Sequence, residues 1–340
     1  MKPTRLYYLD TLKVALTILV IFHHAAEPYY PESAWPYSPS NKAELMPWIW
    51  HFLSVNASFF MGLFFLIAGY FVPKSFDRQG FKIFSQKKFI RLGLPLIIIS
   101  TIISIIMGQL EVAHLWYLES LLLFSMLYAL ARLFIKPINT DNPPRPTIWG
   151  MLIVAAIMGV GGHFIRQVSP QDNWIWLLGF IHIEPAHYLQ YAMMFVIGIL
   201  TYRFQWLQNM KNSTGAASLI IGVALAVGNY VRGDSGMWSG IVYQYFGVYE
   251  SLMCVFISVG LLWLFREYIS GTNPFLDWCA GQAYGAYIFH LFILLIVQNA
   301  TDSIALPGIV KFFMIATITT ALSFIITSLI RKIPGLRKVL

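Results

Sequence analysis

The residues that could carry chemistry are concentrated near the N terminus, in and beside an apolar stretch over 12–27. An α-helix turns by about 100° and rises about 1.5 Å per residue, so Lys13 and His24 fall on one face about 16 Å apart, with Asp10 about 40° from it. Histidine is the usual general base near neutral pH. This stripe is a candidate proton-transfer site, whereas we expect His23, about 100° away, to face protein or the membrane interface.

Simpler interpretations of this stripe stay open. Asp10 and Lys13 could form a juxtamembrane ion pair that only anchors the helix, although such a pair is compatible with a role in a site. His24 could be a buried histidine that is satisfied by a backbone carbonyl. Its alignment with Lys13 favours the functional interpretation.

Two cations, Lys88 and Arg91, stand just before a later apolar stretch. On an α-helix residues three apart share a face, and two neighbouring cations suit a phosphate-bearing ligand. The alternative is an anchor of the kind that basic residues form at the inner ends of membrane spans.

A third cluster opens another apolar stretch with His114, Trp116 and Tyr117, and Glu119 follows one turn inside. A carboxylate at such a position needs a partner, so Glu119 is a candidate catalytic residue, and the other three are candidates for a substrate pocket. The alternative for His114 is a position at the membrane interface. His290, in a late apolar stretch, is a further pocket candidate. The histidines and carboxylates show no metal-ligand spacing, so we predict no metal site.

The composition of the chain predicts which secondary-structure elements position these residues. Of the 340 residues, 58% are hydrophobic and 11% are charged, whereas about 25% charged residues is usual in soluble domains. Apolar runs about 20 residues long match membrane-crossing helices, and an outer-membrane barrel would instead show alternating segments of about 10 residues. The sequence therefore predicts an all-α polytopic transmembrane bundle, with one domain over 1–340 and an uncleaved first helix. The ten predicted spans are 12–27, 50–72, 92–110, 114–135, 148–166, 187–204, 214–231, 241–265, 281–299 and 309–330.

The distribution of basic residues predicts which side of the membrane each connecting segment faces. One set of connecting segments holds only Lys42, Arg166, Arg232 and Lys311, and the other set holds the remaining 19 of the 23 Lys and Arg residues. Because basic residues accumulate in cytoplasmic segments, both termini are predicted to be cytoplasmic, and the net charge of +8 needs no nucleic-acid partner. The segment 28–49 then faces outward, and 73–91 faces inward. The aromatic rings of 28–49 favour the membrane interface, although such rings also stack on sugars.

Several motifs together resemble the membrane acyltransferase-3 family. They are Tyr8-Leu9-Asp10 with Lys13 and His24, then Lys88-x-x-Arg91, His114-Leu115-Trp116-Tyr117-Leu118 and Tyr287-x-x-His290, in family order over nearly the whole chain. The chain departs from the family pattern at Lys13 and Lys88, where lysine replaces arginine. The charge is kept, but the bidentate guanidinium fork is lost.

The resemblance implies an integral membrane O-acyltransferase of the cell membrane. Its expected donor is cytoplasmic acyl-CoA, with acetyl-CoA as the common case, and its acceptor is a hydroxyl of an extracytoplasmic glycan, lipid or small molecule. His24 would be the general base, and Lys13, Lys88 and Arg91 would bind the donor. No tightly bound cofactor is expected, and membrane lipids are expected partners.

A proton-coupled transporter of a small molecule is the alternative, because intramembrane histidine, glutamate and lysine also suit a proton pathway. Such a transporter should contain paired interrupted helices. Gly159, Gly161 and Gly162 interrupt one span, and no clear counterpart is visible. The acceptor, the acyl chain, the choice between direct transfer and an acyl-histidine intermediate, and the oligomeric state stay open.

Overall fold

A computed structural model describes residues 5–138, 142–231 and 245–340. The chain is mostly helical over these ranges. The helices are α1 (Tyr7–Ala26), α2 (Ile49–Lys88), α3 (Leu94–Met107), α4 (Trp116–Phe134), α5 (Ile148–Val168), α6 (Pro185–Arg203), α7 (Trp206–Asn209), α8 (Asn212–Val231), α9 (Phe246–Tyr268), α10 (Pro274–Ala300) and α11 (Gly308–Ile330). A small antiparallel hairpin pairs β1 (Ile175–Leu177) with β2 (Ile181–Ile183).

The predicted class of multi-pass helical membrane protein is confirmed. Eight helical stretches of the described residues are long and apolar enough to cross a membrane. Each of the ten predicted spans overlaps one helix; two of them, 50–72 and 92–110, fall within the single stretch Ile49–Met107, and α6 is not among the eight. The count of ten and the cytoplasmic termini stay predictions. Residues Lys2, Arg232 and 241–244, used in those predictions, lie outside the described residues.

Two features differ from the sequence expectation. Helix α2 continues past Pro73 through most of the basic segment, with a break at Gly80, whose φ of 69° and ψ of 173° suit only glycine. The added length is fixed by Asp77, whose carboxylate accepts hydrogen bonds from Arg203 at 2.7 and 3.1 Å and from Arg132 at 3.4 Å. The hairpin is the second difference, because an all-α fold was expected.

The described residues group into two compact units. Unit 1 comprises the described residues within Met1–Phe60 and Phe265–Lys338 together with Leu340, and unit 2 comprises those within Met61–Leu264 together with Val339. The prediction of one domain over 1–340 stays a prediction.

In unit 1, helices α1, α10 and α11 pack around an apolar core. Its members include Ala25 and Ala26 of α1, Leu294 of α10 and Ile315 of α11, all inaccessible to solvent. Small alanine side chains at the end of α1 let the neighbouring helices approach closely, and this packing positions the last turn of α1.

The segment 28–49, which is predicted to face outward and is called the outer segment below, packs onto the same core. Tyr29 is fully buried, and its carbonyl accepts a hydrogen bond from the Met46 amide at 2.8 Å. Tyr37 is also buried, and its hydroxyl donates to Asp302 at 2.6 Å. These two rings are therefore part of the protein core. The location of the aromatic residues of 28–49 at the membrane interface stays a prediction.

A buried ion pair ties this segment to α11. The Lys311 ammonium, which is inaccessible to solvent, lies 2.9 Å from Oε1 of the buried Glu44 and 2.8 Å from the Asp302 carbonyl. Lys311 belongs to the small set of basic residues assigned to the outer side, and Glu44 balances its charge.

In unit 2, two glycines let α2 and α6 touch. A Cβ on Gly69 would overlap the Phe195 carbonyl, and a Cβ on Gly198 would overlap the Leu66 carbonyl. Small residues at such crossings allow direct backbone contact between membrane helices.

Because removing one partner leaves the other charge buried, we expect Lys311→Met to lower the free energy of unfolding by about 3–5 kcal/mol. Thermal unfolding of the purified protein in detergent measures this. Lys42→Gln is the matched control, because Lys42 is exposed and its ammonium donates a local hydrogen bond to Ser38 at 2.8 Å. Equal melting temperatures for the two variants would contradict a stabilising role for the pair.

Candidate active site

His24 lies in the last turn of α1 and is paired with a carboxylate. Helix α1 ends at Ala26, and a 3₁₀ turn over Glu27–Tyr29 follows with Pro28 in its first turn. This places Glu27 three residues after His24, with Oε1 2.9 Å from His24 Nδ1. A carboxylate accepts, so Nδ1 carries the hydrogen, and in the neutral ring Nε2 then presents its lone pair. The arrangement is that of a base oriented by a carboxylate.

Two aromatic rings lie against His24. The Trp35 ring stacks at a centroid distance of 5.4 Å, and the His290 ring stacks at 5.5 Å. Trp35 is fixed by a 2.9 Å hydrogen bond from its indole nitrogen to Gln298, and His290 Nδ1 lies 2.5 Å from the Tyr287 carbonyl. The structure thus brings together His24 and His290, two residues predicted for the site from distant parts of the chain.

His23 occupies a different environment. Its ring packs 4.9 Å from the Phe60 ring, and its Nε2 lies 3.4 Å from Oε1 of Glu27. The His23 side chain is 11% exposed and the His24 side chain 21%. His24 is therefore the more accessible imidazole of the two, and both share one carboxylate.

At the other end of α1, Asp10 joins two cations. Its carboxylate lies 2.7 Å from the Lys13 ammonium and accepts a 2.7 Å hydrogen bond from Arg5. Arg5 also reaches Asp277 of α10 at 2.9 Å. The hydrogen bond from Arg5 to Asp10 raises the pKa of this guanidinium above its usual value. The Asp10–Lys13 ion pair therefore forms and lies within a larger network that the sequence did not indicate.

Lys88 and Arg91 flank a change of helix type. Helix α2 ends at Lys88, and Arg91 lies in a single π turn over Phe89–Gly93. Single π turns often occur at functional sites. A Cβ on Gly93 would lie 2.8 Å from the Phe89 ring, so a larger residue there would require this ring to move. The α-helical spacing assumed for the two cations is thus altered at Arg91.

In unit 2 the aromatic cluster meets the hairpin. The Trp116 ring stacks on Tyr191 at 5.3 Å and lies 5.6 Å from the Trp174 ring. Tyr117 packs against Phe65 at 4.8 Å. His114 is buried in the turn that precedes α4.

The partner of Glu119 is the backbone of the hairpin. Its Oε2 accepts a hydrogen bond from the His182 amide at 3.0 Å. Burial lowers the pKa of the His182 imidazole, because desolvation disfavours its charged form. Glu119 thus has the partner that its position requires.

A buried network in unit 2 was not expected from the sequence. His187 bridges two carboxylates, with Nδ1 2.5 Å from Glu184 and Nε2 2.8 Å from Glu250. Arg166 forms a close ion pair with Glu250, and the Asp172 amide donates to Glu184 at 2.8 Å. The network joins α5, α6 and α9 with both carboxylates buried.

Hydrogen bonds also fix the carboxylate of Asp302, in the turn after α10. Its oxygens accept from Ser40 Oγ at 2.5 Å, from the Ser40 amide at 3.2 Å and from Tyr37 at 2.6 Å. Hydrogen bonds to the charged form lower the pKa of Asp302 to about 2. The same contact raises the pKa of Tyr37, with burial as the larger cause.

The fold and the oriented histidine define a polytopic membrane protein with a candidate group-transfer site. A family model described as an acyltransferase domain matches residues 6–328. The chain belongs to this family, the membrane acyltransferase-3 family.

Named relatives agree with this assignment. The chain is 24% identical, over 272 residues and 69% of each chain, to the glucans biosynthesis protein C of Escherichia coli O81 strain ED1a and to that of strain K12. No solved structure matches the chain.

Because Glu27 fixes the tautomer of His24, we expect Glu27→Gln to lower the turnover of acyl transfer about tenfold or more, as part of the 10²–10⁴-fold contribution typical of a general base. The measurement is the initial rate with the purified variant. Glu32→Gln is the control, since the Glu32 carboxylate accepts a 3.0 Å hydrogen bond from Tyr30 in the same outer segment. Equal rates for both variants would remove Glu27 from this role.

Proposed function

We propose that the protein transfers a small acyl group, acetyl in the simplest case, from cytoplasmic acyl-CoA to a hydroxyl of an extracytoplasmic glycan or glycolipid. The observation that carries this proposal is the His24 imidazole, oriented by Glu27 and stacked against Trp35 and His290. A membrane acyltransferase needs such a base, because a hydroxyl is a weak nucleophile until its proton is removed.

The acceptor hydroxyl oxygen attacks the thioester carbonyl while His24 Nε2 takes its proton, and Glu27 stabilises the imidazolium that forms. The carbon–sulfur bond then breaks, and the leaving CoA thiolate receives that proton. An acyl-histidine intermediate would use the same residues in two steps.

The donor must be held without crossing the membrane, because CoA is highly charged. Lys13, Lys88 and Arg91 are proposed to bind its phosphates at the cytoplasmic side, which would leave its thin pantetheine arm to carry the thioester inward. Asp10, 2.7 Å from Lys13, would hold that cation in place.

The acceptor is proposed to be a carbohydrate on two grounds. The relatives named above carry names that refer to glucans biosynthesis. In unit 2, Trp116 and Trp174 meet at 5.6 Å beside Glu119, and aromatic faces with a nearby carboxylate suit a sugar. Glu119, Trp116, Tyr117 and His114 are therefore proposed to shape the acceptor pocket, in a protein of the cell membrane.

The buried network around His187 is the observation that favours the alternative, a proton-coupled transporter, because linked ionisable groups inside membrane helices often relay protons. Acceptor-dependent release of CoA by the purified protein would support the enzyme. Proton-driven flux of a small molecule into liposomes without CoA would support the transporter.

We expect His24→Ala to lower acyl transfer by about 10²–10⁴-fold while expression and acyl-CoA binding persist, because the base is lost and the donor site is not. Transfer from labelled acetyl-CoA and equilibrium binding of CoA measure the two effects. His163→Gln is the control, a histidine packed against Tyr245 at 5.1 Å in unit 2 and not assigned to the site. Near-normal transfer by His24→Ala would refute the proposed role.

We expect the double substitution Lys88→Gln with Arg91→Gln to raise the KM for acyl-CoA about 10-fold or more with little change in kcat, because charged hydrogen bonds to the donor are lost. Steady-state kinetics at varied acyl-CoA measure both constants. Lys74→Gln with Lys82→Gln removes the same charge from exposed positions of the same helix. An unchanged KM in the first variant, or an equal rise in the second, would contradict donor binding at Lys88 and Arg91.

A further inference from the structure

A cavity of about 950 Å³ lies in unit 1 between the first turns of α10 and the chain that follows α11. Its polar and charged lining consists of Gln282, Ser328, Arg331, Lys332 and Arg337. Three of these five side chains are cations, and none of the residues that line the cavity is acidic.

This cavity, called the basic cavity below, has one side whose residues are fixed by hydrogen bonds. Arg331 donates to the Gly281 carbonyl and, at 3.0 Å, to Gln282 Oε1. A Cβ on Gly281 would lie 3.1 Å from Arg331 Nη1, so the guanidinium packs closely against the helix backbone. The Trp278 indole donates to Ser328 Oγ at 3.3 Å, and the Ser328 hydroxyl hydrogen can be donated in turn.

Lys332 directly follows Arg331, and a turn brings Arg337 back to the same cavity. Gly335 has a φ of 90°, a conformation that favours glycine, and the chain then forms a 3₁₀ turn that contains Arg337. Cations that serve only to orient a span need no common cavity. Here a fixed guanidinium, two exposed cations and a hydroxyl donor converge on one space, which is the donor set that a phosphate group requires.

We propose that the basic cavity binds the phosphate group of a ligand at the predicted cytoplasmic side. Two sources share this chemistry, an anionic phospholipid headgroup and the nucleotide of acyl-CoA. The second rests on the function proposed above and would place the nucleotide in this cavity instead of at Lys13, Lys88 and Arg91.

Each source has a structural argument. Gln282 precedes His290 by eight positions on α10, or about 12 Å along the helix axis, so a nucleotide held here would lie on the same helix as the ring stacked on His24. For a lipid, Ile333 lines the cavity and is 53% exposed, so an apolar surface adjoins the cations.

The test compares full-length wild-type protein with the double variant Lys332→Gln and Arg337→Gln. Both positions are exposed, and Arg331, which bonds to the backbone, is left unchanged. One arm measures binding of adenosine 3′-phosphate 5′-diphosphate in an uncharged detergent. The other arm measures binding of fluorescent phosphatidylglycerol in phosphatidylcholine nanodiscs. Lys74→Gln with Lys82→Gln is the control for overall charge, and a melting temperature verifies that each variant is folded.

We expect the double variant to bind at least one probe about 10-fold more weakly, with the control close to wild type. A loss confined to the nucleotide arm identifies the donor as the source, and a loss confined to the lipid arm identifies a headgroup. Unchanged binding in both arms, or an equal loss in the control, would overturn the proposal. This experiment measures ligand binding, so it can contradict the basic cavity as a phosphate site without testing the proposed function. The proposed role of His24 is contradicted by a different result, near-normal acyl transfer by His24→Ala.

Discussion

Hydrocarbon does not tolerate an isolated charge, and the pairing of charged side chains is the constraint on which both units depend. In unit 1, Glu44 neutralises Lys311 where the outer segment meets α11. In unit 2, Arg166 pairs with Glu250 between three helices, and His187 Nε2 lies 2.8 Å from the same carboxylate. Such pairs favour one arrangement of the helices, because a shift of any partner would leave a charge buried alone.

The same constraint separates structural pairs from the candidate catalytic pair. The side chains of Lys311 and Glu44 are 0% and 2% exposed, so their ion pair is closed to any ligand. Those of His24 and Glu27 are 21% and 24% exposed. The His24–Glu27 pair is therefore buried enough to be held in one geometry and exposed enough for a substrate to reach it, as an oriented base requires. This difference in access supports a reactive role for His24 and a purely structural one for Lys311.

The sequence predicted the features that depend on long runs of residues, and it missed those that depend on a few residues or on contacts between distant ones. Each of the ten predicted spans, taken from an apolar run of membrane length, overlaps a helix of the structure. The prediction works because a helix that crosses lipid must be apolar along its whole length. The extension of α2 from Pro73 to Lys88 was missed because that segment is charged, and the hairpin was missed because its strands have only three residues each. The π turn at Arg91 was missed because residue spacing does not encode a change of hydrogen-bond register.

For the site, Glu27 had a usable signal, since it follows His24 by three residues at a helix end. The stacking of His290 on His24 and the hydrogen bond from His182 to Glu119 join residues far apart in the chain. No local pattern could predict the geometry of those contacts.

The crossing of α2 and α6 at Gly69 and Gly198 has a consequence for how related chains can diverge. Each glycine faces a carbonyl oxygen of the opposite helix, which is backbone and cannot be moved by a rotamer change. A single methyl at either position would therefore force the two helices apart, and no replacement of a neighbouring side chain could accommodate it. Related chains can therefore replace either glycine only if the two helices also move relative to each other.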